Sequence, residues 1–431
     1  MNSFGRIFRI SIFGESHGES VGIVVDGCPA GMPLTVDDFL PDLERRKGGT
    51  QKGTTPRQEE DLPIFKSGLF NNKTTGAPIT ILFENKNIRS GDYEKQRDVP
   101  RPGHADFVAH KKFAGFEDYR GSGHFSGRLT VALVAAGVIA KKSLSQTLSE
   151  GEGFNSTPIK ITSSILEIGG EKDLDKGLQK AIDAKDSIGG IIECRAAGLP
   201  VGLGEPFFDS AESLLSHIVF AIPAVRGIEF GTGFAAAKMF GSEHNDPIEN
   251  MEGKTRTNHA GGIVGGLTNG NELVFRIAIK PTSSTPKEQN TLNWETGKVE
   301  TASVKGRHDL CIALRVPVIL EAVTAIVLAD LMMLEQRIPR VNKWDYAACS
   351  FRFFLIISCI TSTCFLRLRT VTPSAFFSIE SNKRMVLSTR RSQSSDSVSP
   401  SRVSIFIIRV VFLQKEKFAE KRFINPVPMG S

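Results

Sequence analysis

No two cysteines in this 431-residue chain are spaced as CxxC; the six, at 28, 194, 311, 349, 359 and 364, are scattered. That spacing argues against a zinc site and a disulfide framework and for reduced thiols in a cytoplasmic protein. Three familiar site types are missing as well. There is no GxxxxGK[ST] phosphate loop and no HExxH, and the glycines of 121–127 miss the GxGxxG spacing of a dinucleotide site. No N-terminal stretch joins a basic start, an apolar run and a small-residue cleavage site, so export is not expected.

Excess charge of one sign is also lacking over most of the chain. The formal net charge is +6, but residues 343–431 hold 14 Lys+Arg against 5 Asp+Glu, which leaves 39 against 42 in the first 342. Those 342 residues do not describe a nucleic-acid-seeking protein, and their arginines must be judged by position. The last 89 residues are poor in glycine, holding only Gly430 of the 41, yet they carry 10 of the 29 phenylalanines. Phe351–Leu366 is apolar but short for a membrane span of about 20 residues, and Ser392–Ser401 is serine-rich. The expected organisation is one catalytic domain over 1–341, then an extension over 342–431 that packs poorly if at all. No membrane partner is expected.

What is present reads as alternating strands and apolar helices. Phe8, Ile10 and Ile12 alternate with Arg9 and Ser11, the period of a half-buried strand, and Val21–Val25 resumes it. Thr35 with Asp38 resembles a capped helix start, stopped at Gly48-Gly49. Buried helices are expected over Leu129–Leu144 and from Pro317 to about Gln336, with another over Asp209–Ala221. Ile188–Cys194 and Leu273–Ile279 read as strands, and Asn269-Gly270 between apolar runs signals a hairpin. Strands and helices mix without strict βαβ alternation, which favours an α+β fold.

Four glycine-bearing segments concentrate reactive side chains. Ser16 and His17 lie in Gly14–Gly18 at a strand end, where a histidine can give or take a proton at neutral pH. Arg101, His104 and Asp106 share a Pro/Gly loop. Ser126 and Arg128 stand at a glycine-rich helix entry, where free N–H groups and the helix dipole favour a phosphate. Lys280–Ser284, Asn258–Gly266 and Gly306–Asp309 follow late in the chain. The first three have blander readings: a turn histidine, a salt-bridged turn, ordinary N-capping by Ser126. The residues alone describe an enzyme for polyanionic ligands with His17, His104 and Asp309 as proton handlers.

Taken together these segments resemble chorismate synthase over about residues 4–341: FGESHG at 13–18, RPGHAD at 101–106, GSGHFSGR at 121–128, DSIGG at 186–190, NHAGG at 258–262, KPTSS at 280–284 and GRHD at 306–309. The resemblance implies a single β-α-β sandwich domain, a homotetramer, and reduced FMN as cofactor. It implies a lyase of the shikimate pathway that converts 5-enolpyruvylshikimate 3-phosphate to chorismate and phosphate by 1,4-anti elimination. His17 resembles the acid for the leaving phosphate, His104 the group that steadies the reduced flavin, and Asp309 the partner in the final deprotonation. The resemblance also implies that Ser16 and Ser126 share the same proton network. FMN contacts fall at His124, Phe125, Ser126, Pro223, Ala224, Gly265, Lys280, Pro281, Thr282, Ser283, Ser284 and Arg307. Substrate anions fall to Arg46, Arg101, Arg128 and Arg307, and an NADPH position to Arg46 and Lys52.

The pattern departs from many relatives at the helix entry, where His124-Phe125-Ser126-Gly127-Arg128-Leu129 replaces Arg-Ser-Ser-Ala-Arg-Glu, and at Lys52, where some have arginine. Two readings from other classes stay open at this point. One is an NADPH-dependent flavin reductase, the other a flavin-binding homologue that no longer catalyses.

Overall fold

The computed structural model describes residues 2–49, 51–57, 59–87, 97–146, 158–304 and 308–341. The chain divides into two units, residues 1–352 and 353–431, and the described residues all fall in the first. The extension expected from 342 onward, with its apolar and serine-rich stretches, lies outside them.

The strands of the two large sheets are, in chain order, β1 (Ser3–Phe4), β2 (Arg9–Gly14), β3 (Ser20–Asp26), β4 (Ile64–Ser67), β5 (Ile79–Glu84), β6 (Lys160–Ile168), β7 (Gly190–Ala197), β8 (Val225–Phe230) and β9 (Leu273–Ile279). The main helices are α1 (Leu40–Arg46), α2 (Asp106–Phe113), α3 (Thr130–Gln146), α4 (Leu174–Ala184), α5 (Ala211–Val219) and α6 (Val316–Leu334). One sheet runs β1-β2-β3-β5-β4 and the other β8-β9-β7-β6. Every pairing within them is antiparallel. Helix α3 packs on the first sheet, α6 on the second, and the two helices on each other. The result is the α+β β-α-β sandwich.

The alternation in the sequence sets the sheet faces. In β3 and β5, Val21, Ile23, Val25, Ile79, Ile81 and Phe83 are all fully buried, and Ile23 sits opposite Ile81. A one-residue slip would turn this whole set outward, so the register is fixed by burial. Leu273, Phe275, Ile277 and Ile279 do the same for β9. The segments 120–145 and 312–334 are apolar and long enough to cross a membrane, but each is 78% buried inside the fold. Their hydropathy is that of helices buried on all sides.

Where the two central helices cross, Gly137 meets Ala322 so closely that a Cβ on Gly137 would overlap the Cβ and Cα of Ala322. Gly137→Ala gains about 1 kcal/mol of helix propensity, whereas overpacking against backbone costs about 1–3 kcal/mol. The clash wins because Ala322 has no side chain to swing away. Gly137→Ala is therefore expected to lower the melting temperature; an unchanged or raised one would show that the helices can slide apart.

The apolar helix α6 hides two carboxylates. Glu321 is 4% exposed and takes Arg45 on both oxygens at 2.8 Å, Lys141 at 3.1 Å and the Ser163 amide at 3.1 Å. Burial pushes its carboxyl upward, but Arg45 and Lys141 outweigh that and hold it below the usual range. Asp330 accepts the amides of Arg6, Ile7 and Phe8 at 2.7–2.9 Å and so fixes the entry to β2.

Three sequence expectations shift. The Thr35 segment forms a 3-10 turn, Val36–Asp38, before α1, with the Asp38 carboxylate accepting the Thr35 amide at 2.8 Å. Pro41 falls in the first turn of α1, where a missing N–H costs nothing. The helix expected over Asp209–Ala221 runs as α5 from Ala211, capped by Ser210, which accepts the Ser213 amide at 3.1 Å. Asn269-Gly270 is not a hairpin turn. The two-residue turn is Gly265-Gly266, both with positive φ, between the short strands Ile263–Val264 and Leu267–Thr268. Type I′ geometry asks for positive φ at both central residues, and two glycines meet it at less cost than Asn269 would. The following strand β9 pairs instead with β7 and β8.

Candidate active site

Segments far apart in the sequence meet around a cavity of about 640 Å³, within the size range of ligand clefts. Its wall is built by the loops after β2, after α1, before α2, before α3, before β8, after β9 and before α6. Lysines and arginines outnumber carboxylates in that wall.

His17 is 4% exposed and lines the cavity. Its Nδ1 shares a 2.9 Å hydrogen bond with Ser16 Oγ, and the Ser16 amide donates to Gly123 O at 3.1 Å. The glycine loop lies directly on the imidazole: a Cβ at Gly121, whose φ is +55°, would overlap the ring and crowd Ser16 Oγ. Gly121 is thus required twice, for its left-handed backbone and for the close approach.

Arg101 and His104 converge on Asp106. Arg101 Nε and Nη2 each donate to the Asp106 carboxylate at 2.8 Å, and Nη1 donates to Ser284 Oγ at 2.9 Å. His104 Nδ1 lies 2.6 Å from Asp106 Oδ1 and Nε2 lies 3.2 Å from Ser122 Oγ. Nδ1 also sits 3.1 Å from Arg101 Nη2. Two cation-side donors cannot bond each other, so the shared acceptor Asp106 explains that approach and places the proton on Nδ1. Burial pushes the Asp106 carboxyl upward, but the hydrogen bonds from Arg101 and His104 hold it well below the usual carboxylate range.

Arg46 and Arg128 are buried and share Asp61. Arg46 Nη2 donates to Asp61 Oδ2 at 2.5 Å, and Arg128 Nη1 donates to Oδ1. Burial draws both guanidiniums below the usual arginine range, and together they hold Asp61 low against its own burial. Across the cavity Asp309 accepts the Thr55 amide at 2.8 Å and Arg315 at 3.0 Å, while Arg315 Nε donates to Arg46 O at 2.8 Å. Lys280 donates to Ser283 Oγ at 3.0 Å and to Gly103 O. Burial and the nearby Arg226 lower its ammonium. Arg46 Nε and Thr282 Oγ1 are buried with no partner among the described residues.

Of the residues singled out from sequence, His17, Arg46, Arg101, His104, His124, Phe125, Ser126, Arg128, Pro223, Ala224, Lys280–Ser284 and Asp309 all line this cavity. Ser126 also accepts the Arg128 amide at 3.3 Å, so it caps the helix entry as the blander reading expects. His124 is tied down, with Nδ1 bonded to Gly14 O at 3.0 Å and Nε2 beside Asn2 Oδ1 at 3.1 Å. Ala224 holds φ at +74°, a strained value for a residue with a Cβ. Ser16 reaches the site through His17. Lys52 does not line the cavity; it is exposed and donates to Gln179 at 3.0 Å. Gly265 does not line it either, and sits in the hairpin turn. Arg307 lies outside the described residues. Sequence reasoning missed Asp61, Arg57, Arg226 and Arg315, all of which line the cavity.

The family described as chorismate synthase matches residues 8–333. A chorismate synthase of Chitinophaga pinensis is 68% identical over 343 residues, which are 80% of this chain and all of that relative. One from Dehalococcoides mccartyi is 44% identical over 79% of this chain and 99% of its own length, and one from Methanocaldococcus jannaschii 42% identical over 77% and 96%. A crystal structure of chorismate synthase is similar at a TM-score of 0.54 and 26% identity, over 77% of this chain and 93% of that one. The chain belongs to the chorismate synthase family of shikimate-pathway lyases and is an enzyme of that family, with the segment after about residue 341 outside the likeness.

Proposed function

We propose that the cavity converts 5-enolpyruvylshikimate 3-phosphate to chorismate and phosphate by 1,4-anti elimination with reduced FMN beside the substrate. The observation that carries this reading is the basic wall of the cavity, where eight lysines and arginines stand against three carboxylates, Glu59, Asp61 and Asp309. Such a wall suits a substrate with two carboxylates and a phosphate, whose oxygens accept charge-assisted hydrogen bonds from guanidinium and ammonium groups. The donor set suits FMN: Lys280, Ser283, Ser284 and the segment 124–126 would hold it. Arg46, Arg101 and Arg128 would take the substrate anions. When bound, reduced FMN supplies a transient electron that eases loss of phosphate and is not consumed.

The chain's own residues then move protons and orient groups. A Ser16 hydroxyl that donates to Nδ1 of His17 leaves the ring proton on Nε2, the form in which His17 protonates the departing phosphate. Asp106 fixes the ring of His104 through Nδ1. Thr55 and Arg315 orient Asp309, the group assigned to the final deprotonation. A homotetramer belongs to this reading, and it would cover exposed aromatics such as Phe207, Phe208 and Phe234. Residues 342–431 are assigned no part in catalysis. Val341 bridges Ala30, and the Ala30 amide donates to Arg340 O at 3.0 Å, so a chain cut after Val341 keeps this closing contact.

One anaerobic assay tests the whole reading, run with chemically reduced FMN, with and without NADPH, on the full chain and on residues 1–341. Both forms are expected to release chorismate and phosphate in equal amounts with no net oxidation of flavin or NADPH. Flavin binding without product would favour a non-catalytic homologue, and net NADPH oxidation a reductase. Activity in the full chain alone would make the extension structural.

A further inference from the structure

Asp61 is absent from every sequence motif above, yet it is the most enclosed charge in the cavity wall, with a fully buried side chain. Its two oxygens are divided between two arginines, Arg46 on Oδ2 and Arg128 on Oδ1. Each arginine keeps N–H groups unspent among the described residues. Arg128 gives Nε to Asn85 Oδ1 at 3.0 Å and Nη2 to Glu84 O at 3.2 Å, which with Nη1 on Asp61 uses three of its five N–H groups among the described residues. Arg46 spends Nη1 on Thr130 Oγ1 at 3.3 Å, and its buried Nε has no partner among the described residues.

We propose that Asp61 is a positioning residue for the reaction: one carboxylate clamps two guanidiniums side by side and holds both in the cavity wall. This deepens the reading of the cavity as the substrate site and rests on it. The physical reason is that two like charges at this spacing part unless a counter-charge sits between them. Guanidiniums do not escape the repulsion by losing a proton. Asn85 and Thr130 are neutral and cannot replace the carboxylate. Both guanidiniums line the cavity, so the group that holds them sets the shape of its basic wall.

The two roles predict opposite changes in anion binding. Asp61→Asn removes a negative charge beside two cations, so a phosphate ion feels a stronger attraction even as the guanidinium geometry loosens. Isothermal titration of the FMN-free protein with inorganic phosphate is expected to show affinity raised by about threefold or more. Turnover with reduced FMN is expected to fall about 10²-fold, the size of effect that a misplacement near 1 Å produces. Phosphate affinity that falls together with turnover would mean a collapsed wall and overturn the proposal, as would unchanged turnover. Asp61→Glu keeps the charge and guards against an Asn variant that does not fold. It should fold, bind phosphate as the parent chain does and lose about tenfold in kcat, because the longer side chain displaces both guanidiniums; full kcat in Asp61→Glu would overturn the proposal as well. If the unaltered chain makes no chorismate, the reading of the site has failed, and the opposed phosphate responses still report on Asp61.

Discussion

His17→Ala is expected to lower kcat by about 10²–10⁴-fold, the usual weight of a general acid or base, while the protein stays folded. The ring is buried, but its neighbours are a glycine loop and a serine hydroxyl rather than the apolar core. Deleting it therefore opens space at the cavity wall more than it hollows the sandwich. Steady-state turnover at neutral pH, paired with a thermal melt, separates the two effects. His104 offers the contrast, because its Nδ1 is engaged by Asp106, and through Asp106 it is coupled to Arg101. Loss of His104 disturbs the ion-pair cluster along with any proton role, whereas loss of His17 should leave that cluster intact. Full activity in His17→Ala would remove it as the acid for the leaving phosphate, and the assignment would pass to another group in the wall.

The framework was legible in the sequence because it depends on short-range pattern. Alternation over Phe8–Ile12 and Leu273–Ile279 is the direct imprint of sheet faces, and the two apolar helices have no polar face to confuse them. What was hidden is polar and depends on partners distant in the chain. Asp61 reads as the last member of a solvated run, Glu59-Glu60-Asp61, until Arg46 and Arg128 are brought onto it. Glu321 and Asp330 are single carboxylates in a helix whose other residues all point to a dry interior, and only Arg45, Lys141 and the amides of 6–8 account for them. Arg128 keeps its place in the cavity wall, but its bonds to Asp61, Asn85 and Glu84 could not be read from the helix entry. His124, the departure from the family pattern, lines the cavity while anchoring its loop to Gly14 and Asn2. The candidate site itself was largely legible, since glycine-flanked reactive side chains mark places where backbone and ligand must come close. Their placement on one cavity was not, because nothing local encodes it.

Arg101→Met is expected to cost the cavity wall much of its stability. The methionine keeps the apolar stem but removes both bonds to Asp106, as well as those to Ser284 and to Ser122 at 2.8 Å. Breaking a buried pair by deleting one partner costs about 3–5 kcal/mol. The lower end applies, since His104 stays within 2.6 Å of Asp106 and the carboxylate is not left wholly alone. Acid gives the loss a signature. The folded Asp106 carboxyl lies below its unfolded value of about 3.9, so its contribution is fully present above that pH and is lost as pH falls through the folded value. Without Arg101 the depression shrinks, and part of that contribution disappears at neutral pH. The gap in urea midpoint between Arg101→Met and the unaltered chain should therefore be constant from pH 7 to pH 5 and narrower at pH 3. A gap that is equally wide at pH 3 would trace the loss to packing or to the serine hydrogen bonds. A gap that widens would mean that Asp106 is not held low by Arg101. Turnover should fall as well, because the ring of His104 then leans on a carboxylate that no guanidinium holds in place.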